Sequence, residues 1–257
     1  MTLTADEVAI IFHDDTTERV AGQGGLIRHM SWDETKELDI AATHPFSEKF
    51  KNERIPTFEE TLVDCIQNDI RMFIDIKLDD LKLSSLRAKD NKLVQVILDA
   101  YNRHPELYKL AVVSSFNPII IYLIRRVNPG IVCSLAYRPQ FFSYESYTGQ
   151  MGGARPRYSN LLKHLAAQAL DTLHLWMLEH LLPGVLGLSA ILLHKDLASP
   201  DAVTAWQNRG LRVILWTVNM PLEKKYASSV LKVTYMTDTL LGTADELKPA
   251  TVAMTAS

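Results

Sequence analysis

Cysteine is scarce: Cys65 and Cys133 are the 2 thiols of a 257-residue chain. A pair cannot build a disulfide framework, which excludes the small stapled folds. Both lie in apolar-patterned segments and read as small buried hydrophobes. An excess of one charge sign is also lacking. The 27 Lys and Arg against 30 Asp and Glu leave a net charge of -3. With no basic run, the electrostatic footprint of a nucleic-acid binder is absent, and nucleic acid is not an expected partner. No uninterrupted hydrophobic stretch reaches membrane-spanning length, which takes roughly 20 mainly apolar residues. The leucine-rich segment 161–193 is broken by Lys163, His164, Asp171, His174, Glu179 and His180, and then by Pro183 and Gly184. It reads as an amphipathic helix on the core or, more sharply, as one lying on a membrane surface or lining a lipid-substrate groove. The residues after Met1 are polar, so the visible start carries no signal-peptide pattern. No Gly-x-Gly-x-x-Gly follows a strand, and Gln23-Gly24-Gly25 reads as turn chemistry rather than a phosphate cradle.

What is present is a soluble globular composition with enough apolar residues for a large core. Apolar strand candidates at 8–12, 72–77, 110–115, 131–137, 189–194, 211–218 and 233–237 alternate with helical spacing. Thr57 to Glu60 has the capping-box pattern, Pro118 marks a helix start, and Ser199-Pro200 opens a helix that stops at Gly210. Strand and helix alternating along the chain predict an α/β protein with a parallel sheet covered by helices. One domain is expected over 1–245, with a small, polar, disordered tail at 246–257.

The segment Met72-Phe-Ile-Asp-Ile-Lys77 puts two opposite charges inside an apolar strand. Side chains alternate faces, so Phe73, Asp75 and Lys77 share one side and Ile74 and Ile76 the other. Charges on a buried strand face are costly unless paired or holding an ion or phosphate. Asp75 and Lys77 therefore read either as a stabilising ion pair or as groups handling a metal and an anion. Another strand empties into His13-Asp14-Asp15. His13 reads as a proton-transfer group or as a turn histidine, and Asp14 as its orienting partner or a cap. Further polar residues end other strands: Ser114 and Ser115, Tyr137 and Arg138, His194 and Lys195, Thr217 and Asn219, Thr237 and Asp238. That pattern favours a barrel, where strand ends converge on one mouth. Trp216 reads as a wall for substrate carbons or as core packing. Phe116 and Ser115 carry the same two readings, and Lys195 is a substrate contact or a solvated rim charge.

In order and spacing, Phe12-His-Asp-Asp-Thr-Thr-Glu-Arg19, Ile55-Pro-Thr-Phe-Glu-Glu60, Phe73-Ile-Asp-Ile-Lys77, Ser114-Ser-Phe116, Trp216-Thr-Val-Asn219 and Thr237-Asp238 resemble the glycerophosphodiester phosphodiesterase family. Tyr137-Arg-Pro139 and Pro156-Arg-Tyr158 resemble its membrane-type animal branch. The resemblance implies a phospholipase-C-like (β/α)8 TIM barrel with Mg²⁺ or Ca²⁺ at its mouth. It implies cleavage of glycerophosphodiesters, of glycerophosphoinositol or lysophospholipid type, to glycerol 3-phosphate and an alcohol. It makes His13 and Lys77 catalytic and Asp75 a metal ligand, with Ser115, Phe116, Trp216 and Lys195 as substrate contacts. It also implies that the full-length relative works close to a membrane.

The family's His-Arg-Gly and Glu-x-Asp motifs have no counterpart here. The chain is therefore expected to lack the N-terminal catalytic segment and to hold six barrel strands, the 8–12 strand being the return arm of a hairpin. One carboxylate would hold a divalent ion weakly, and activity is expected to be impaired. The competing expectation is a non-catalytic barrel fragment that binds phospholipid head groups or a protein partner. A phosphoinositide-specific phospholipase C would need a differently spaced histidine pair.

Overall fold

A β-hairpin opens the chain: β1 (Thr2–Leu3) pairs antiparallel with β2 (Ala9–Ile10). Its turn is closed by Thr4, whose N–H donates to Val8 O while its hydroxyl accepts from Val8 N–H. Glu7 takes the left-handed conformation there, at φ 64°. The computed structural model describes residues 1–77 and 86–239, with side chains for 1–77 and 92–239. The tail expected at 246–257 lies outside the described residues.

Two compact units follow the chain, Met1–Ser134 and Leu135–Ser257. The first continues from the hairpin through α1 (Glu18–Ala21), α2 (Trp32–Thr35), α3 (Phe58–Gln67), β3 (Met72–Ile76), α4 (Leu86–Arg103), α5 (Leu107–Leu110), β4 (Ala111–Ser115) and α6 (Pro118–Val127) into β5 (Cys133–Tyr137). The second takes up β5 and adds α7 (Leu161–His180), α8 (Leu182–Leu186), β6 (Ala190–His194), α9 (Pro200–Asn208), β7 (Arg212–Trp216), α10 (Pro221–Lys225) and β8 (Thr234–Tyr235). Strand order follows the sequence, β3-β4-β5 in the first unit and β5-β6-β7-β8 in the second. Parallel registers place Asp75 beside Ser114 and His194 beside Trp216. This strand–helix repeat is the one expected of a TIM barrel, and each expected strand is found, trimmed by a few residues at its ends.

Local chemistry explains the boundaries. Thr57 accepts from Glu60 N–H and the Glu60 carboxylate accepts from Thr57 N–H, a complete capping box. Arg54 adds a two-pronged ion pair to the same carboxylate, at 2.6 and 3.1 Å. The Arg54 guanidinium, with the Thr57 donors, pulls Glu60 down to about 2. Asn117 caps α6, Pro118 takes its first position, and Ile120, Ile121 and Ile124 form its buried face. Ser199 caps α9, and the chain leaves that helix through Gly210 at φ 80°. In β5 and β6 every residue is buried, as in strands covered on both faces. Cys133 follows expectation, fully buried with its thiol pushed up to about 12 by desolvation. Cys65 corrects it: the thiol is only partly covered on α3.

Gln23 to Gly25 is turn chemistry, because the Thr17 hydroxyl donates to Gln23 O and Thr17 N–H to Gly25 O. Segment 161–193 is corrected from a single helix: it holds a long helix and a short one separated at Leu181, and its last residues, from Ala190, already belong to β6. Among the described residues, no helix is long and apolar enough to cross a membrane.

Candidate active site

The first unit gathers the charged residues of three segments at one opening. β3 carries Asp75 on its outer end and is followed at once by Lys77. The hairpin is pinned to this strand: the Met1 amine donates to Asp75 O at 2.6 Å, and Lys77 N–H donates to Met1 O at 3.1 Å. The return arm runs on beyond β2, where Ile11 N–H donates to Pro56 O and Ile10 bridges Thr57. Behind it, Ile10, Phe12, Ile27, Leu38 and Ile55 form a closed apolar cluster. These contacts fix the direction of the chain as it leaves the strand, and the next residue is His13.

His13 Nε2 lies 2.9 Å from Lys77 Nζ, and Lys77 Nζ lies 3.8 Å from Asp75 Oδ2. On its other side His13 Nδ1 is 2.7 Å from Asp14 Oδ1, and Arg19 Nε donates to Asp14 Oδ2. An ammonium has protons to give and no lone pair. Nε2 therefore accepts from Lys77, and Nδ1 carries the proton donated to Asp14, a tautomer inferred from this network. The Arg19 guanidinium, followed by His13, holds the Asp14 carboxyl below its ordinary range. Asp14 thus orients His13 rather than capping the next turn. Sequence reasoning missed Arg19, although it lies five residues after Asp14 in the same motif.

A cavity of about 260 Å³ opens here, lined by His13, Asp75 and Lys77 together with Phe12, Phe58 and Phe73. A lining that mixes charged groups with aromatic carbon suits a ligand with an anionic head and an apolar part. The histidine is freely exposed, while Asp75 and Lys77 are each about a third exposed (37% and 29%).

The serine expected to contact substrate is tied up inside the protein. Ser115 Oγ donates to Ile76 O at 3.0 Å and accepts from Asn117 N–H at 3.1 Å. It locks β4 to β3 and starts α6. Its neighbour Ser114 is the residue in register with Asp75, so their side chains share a face. Ser114 Oγ is buried and has no hydrogen-bond partner among the described residues. A lone buried hydroxyl of that kind is uncommon and points to a function or an absent partner. The alternation that singled out Asp75 could have selected it. Phe116 follows directly, half-buried.

The remaining expected contacts lie in the second unit. Lys195 Nζ sits between Asp196 Oδ1 at 2.8 Å and Glu223 Oε1 at 2.7 Å, on a cavity of about 360 Å³. Its hydrogen bonds to Asp196 and then Glu223 raise its pKa, while the carboxylates offset its charge. Lys195, read as a substrate contact or a rim charge, is flanked by two carboxylates that an anionic ligand there would also face. The Trp216 indole packs edge-on against His194 at 4.7 Å and donates from Nε1 to Leu192 O at 3.3 Å. That geometry favours packing over a substrate wall. Burial pushes His194 below its ordinary value.

The donor set also tests the expected divalent ion. Among the described residues, no group of three or more His, Cys, Asp or Glu is placed to hold a metal. Asp75 is one carboxylate with an ammonium already 3.8 Å away. Among the described residues Asp75 is the one carboxylate lining this cavity, within the one or two protein ligands usual for Mg²⁺ but short of the larger oxygen set that Ca²⁺ takes.

A parallel strand–helix repeat with an imidazole, a lysine and a carboxylate at one opening fits the phosphoric diester hydrolases of the TIM-barrel class that the sequence resembles. Residues 1–240 match the model of the glycerophosphoryl diester phosphodiesterase family, and the chain belongs to that family. Glycerophosphodiester phosphodiesterase 1 of Bos taurus is 32% identical over 238 residues, spanning 93% of this chain and 67% of its own length. The Homo sapiens protein of the same name is 30% identical over the same shares. Among solved structures, a glycerophosphoryl diester phosphodiesterase from Silicibacter pomeroyi superposes with a TM-score of 0.64 at 18% identity, covering 92% of this chain and 77% of that one. An Oleispira antarctica phosphodiesterase in complex with the product sn-glycerol-3-phosphate gives 0.62 at 19% identity, covering 91% and 77%. Both show the expected fold.

Proposed function

We propose that this chain is built to cleave glycerophosphodiesters, of glycerophosphoinositol or lysophospholipid type, into glycerol 3-phosphate and an alcohol. The observation that carries this reading is the 2.9 Å approach of His13 Nε2 to Lys77 Nζ beside Asp75. A phosphodiester resists attack because its anionic oxygens repel nucleophiles, and an adjacent cation offsets that charge. Lys77 supplies one such cation. When His13 takes a proton at Nε2 it can no longer accept from Lys77, which frees the ammonium for a phosphate oxygen. A water attacks phosphorus as the bond to the alcohol oxygen breaks, the imidazolium giving its proton to the departing alkoxide as a general acid and the water's own proton passing to solvent. Asp14 and Arg19 hold the ring so that Nε2 faces the opening. A divalent ion, if bound in the family's manner, would neutralise phosphate charge from the Asp75 side. With a single carboxylate, its other ligands would be substrate oxygens and water. Nearness of the relatives to a membrane would bring lipid-derived substrates to the opening.

Asp75 as the one carboxylate lining the cavity among the described residues supports a second reading, a barrel that binds phospholipid head groups or a protein partner without turnover. One experiment separates the two. The chain is incubated with glycerophosphoinositol and Mg²⁺, and glycerol 3-phosphate release is compared with that of H13A and K77A. Release that both variants lose supports the enzyme. Equal release from all three proteins removes His13 and Lys77 from the mechanism, and saturable binding without release supports the second reading.

A further inference from the structure

The connection from β5 to α7, residues 138–160, is a long arm of the second unit that folds on itself and rests on histidines. Within it, Glu145 N–H donates to Arg155 O, Arg157 N–H donates to Ser143 O, and Tyr144 bridges Pro156. The Arg138 guanidinium fastens its base, donating to Gln140 O at 3.3 Å and to Tyr144 O and Glu145 O at 3.1 Å. On α7, His174 packs edge-on against Phe142 at 5.5 Å and Tyr137 at 5.7 Å, with Phe141 at 6.5 Å. His174 is only 7% exposed, and its Nε2 is buried with no hydrogen-bond partner among the described residues. One turn earlier, Asp171 accepts from Phe142 N–H and Ser143 N–H, and Tyr144 stands edge-on to His164 at 5.2 Å. Nearer the tip of the arm, Tyr147 stands edge-on to His194 at 5.0 Å. There His194 Nδ1 accepts from Asp196 N–H, and a Cβ on Gly149 would come within 2.6 Å of Asp196 Oδ2.

Protonation bears on both contacts. An imidazolium carries a proton on each nitrogen, and a buried N–H with nothing to accept it forfeits its hydration. At His174 the added proton would point into aromatic carbon; at His194 it would displace the bond from Asp196 N–H. The ionisable groups facing His174 are Asp171 on its own helix and the Tyr137 hydroxyl from β5, and the arm brings Arg138 over the Phe141 ring at 5.2 Å. Those facing His194 are Asp196 and Lys195 beside it, Glu223 from α10, and Arg138 and Tyr147 from the arm. Desolvation outweighs the nearest carboxylate in each case and holds both histidines below their ordinary value of 6.5. The closed arm is therefore favoured above that pH and loses ground as pH falls through the lowered values, because opening lets both rings take up a proton.

We propose that residues 138–160 are an acid-released arm, shut while His174 and His194 are neutral and lifted from α7 and the end of β6 once they are protonated. Release uncovers His194 and Trp216 at the ends of β6 and β7. The device uses neither His13, Asp75 nor Lys77, so it stands or falls apart from the proposed hydrolysis.

The test is amide hydrogen exchange at pH 7.5 and 5.5, corrected for the intrinsic rate and read at Phe142 and Ser143, whose N–H groups bond Asp171. That window lies above the ordinary carboxylate range. One unit below the ordinary histidine value, each released ring can raise the opening equilibrium by up to about tenfold. Protection at the two amides should therefore fall about threefold or more at pH 5.5, while the β6 amides of Ile191 to Leu193 keep theirs. H174F/H194N, with no proton to take up at either place, should stay protected at both pH values. Should that double variant lose its circular dichroism spectrum, H174F alone should show a smaller fall than the unmodified chain. Equal protection at the two pH values in the unmodified chain overturns the inference, and so does an undiminished fall in the variants. A fall shared by the β6 amides also overturns it, in favour of general loosening by acid.

Discussion

His13 and Lys77 lie 64 positions apart in the chain, yet their side-chain nitrogens approach to 2.9 Å. The hairpin makes this possible, because its bonds to β3 bring the segment after β2 to the end of the strand that carries Asp75. If the two act together, replacing either should cost much more than replacing their neighbours. H13A should lower turnover of glycerophosphoinositol about 10²- to 10⁴-fold, the usual worth of a positioned proton donor. K77M should fall in the same range and H13A/K77M little below either single variant, since residues acting as a unit are not additive. Initial rates of glycerol 3-phosphate release check both. A double variant at the product of the two losses would mean that the residues act independently.

Asp14 and Arg19 should matter through the histidine rather than through substrate. D14N keeps a hydrogen-bond acceptor for Nδ1–H but removes the charge, and R19M removes the group that holds Asp14. Both should lower kcat by about tenfold with KM nearly unchanged, a smaller loss than for the proton donor itself. An unchanged kcat in D14N would leave Asp14 a purely structural role.

The two neighbouring serines should separate cleanly. S115A removes a donor to Ile76 O and an acceptor for Asn117 N–H, so it should destabilise the fold by about 1–3 kcal/mol. Its KM should not change. S114A removes a hydroxyl with no protein partner and should leave the urea midpoint where it is. If Ser114 faces the substrate, S114A should instead raise KM. The reverse outcome would restore Ser115 as the ligand contact.

Metal affinity should be low. Titration calorimetry of the chain with Mg²⁺ or Ca²⁺ alone should give dissociation constants of about a millimolar or weaker, at the loose end for oxygen-ligand sites. Added glycerol 3-phosphate should tighten the binding, because the phosphate brings the missing oxygens. D75N should abolish that enhancement. Micromolar binding without phosphate would show ligands beyond Asp75.

Glu60 gives a pH signature distinct from the site. Its folded pKa of about 2 is below the 4.5 of the free group. The stabilisation is therefore complete above pH 4.5 and is lost as pH falls towards 2. E60Q should cost about 1 kcal/mol at neutral pH through the weakened cap. The gap between E60Q and the unmodified chain should narrow through the acid window, as read from urea midpoints. A gap constant with pH would mean that the Arg54–Glu60 pair contributes little beyond the cap.

Much of this molecule is legible in the residue order, and the reason is local. Alternation put Asp75 and Lys77 on one face of β3, Thr57 and Glu60 announced α3, and Pro118 and Ser199-Pro200 announced α6 and α9. These signals act within a few residues, through backbone geometry and caps. The same locality explains what two readings could not include. Ser115 ends an apolar strand like a ligand, but its bonds to Ile76 and Asn117 depend on which strand lies alongside. Lys195 looks like a free rim cation until Glu223, 28 residues on, arrives beside it.

By itself the sequence determined the strand–helix repeat, the family motifs and the face on which each charge stands, because those follow from short-range sterics and periodicity. Only the tertiary structure decided that His13 meets Lys77 and that Glu223 arrives beside Lys195. Each of these joins segments distant in the chain, and the contacts exist only once packing has removed the intervening entropy.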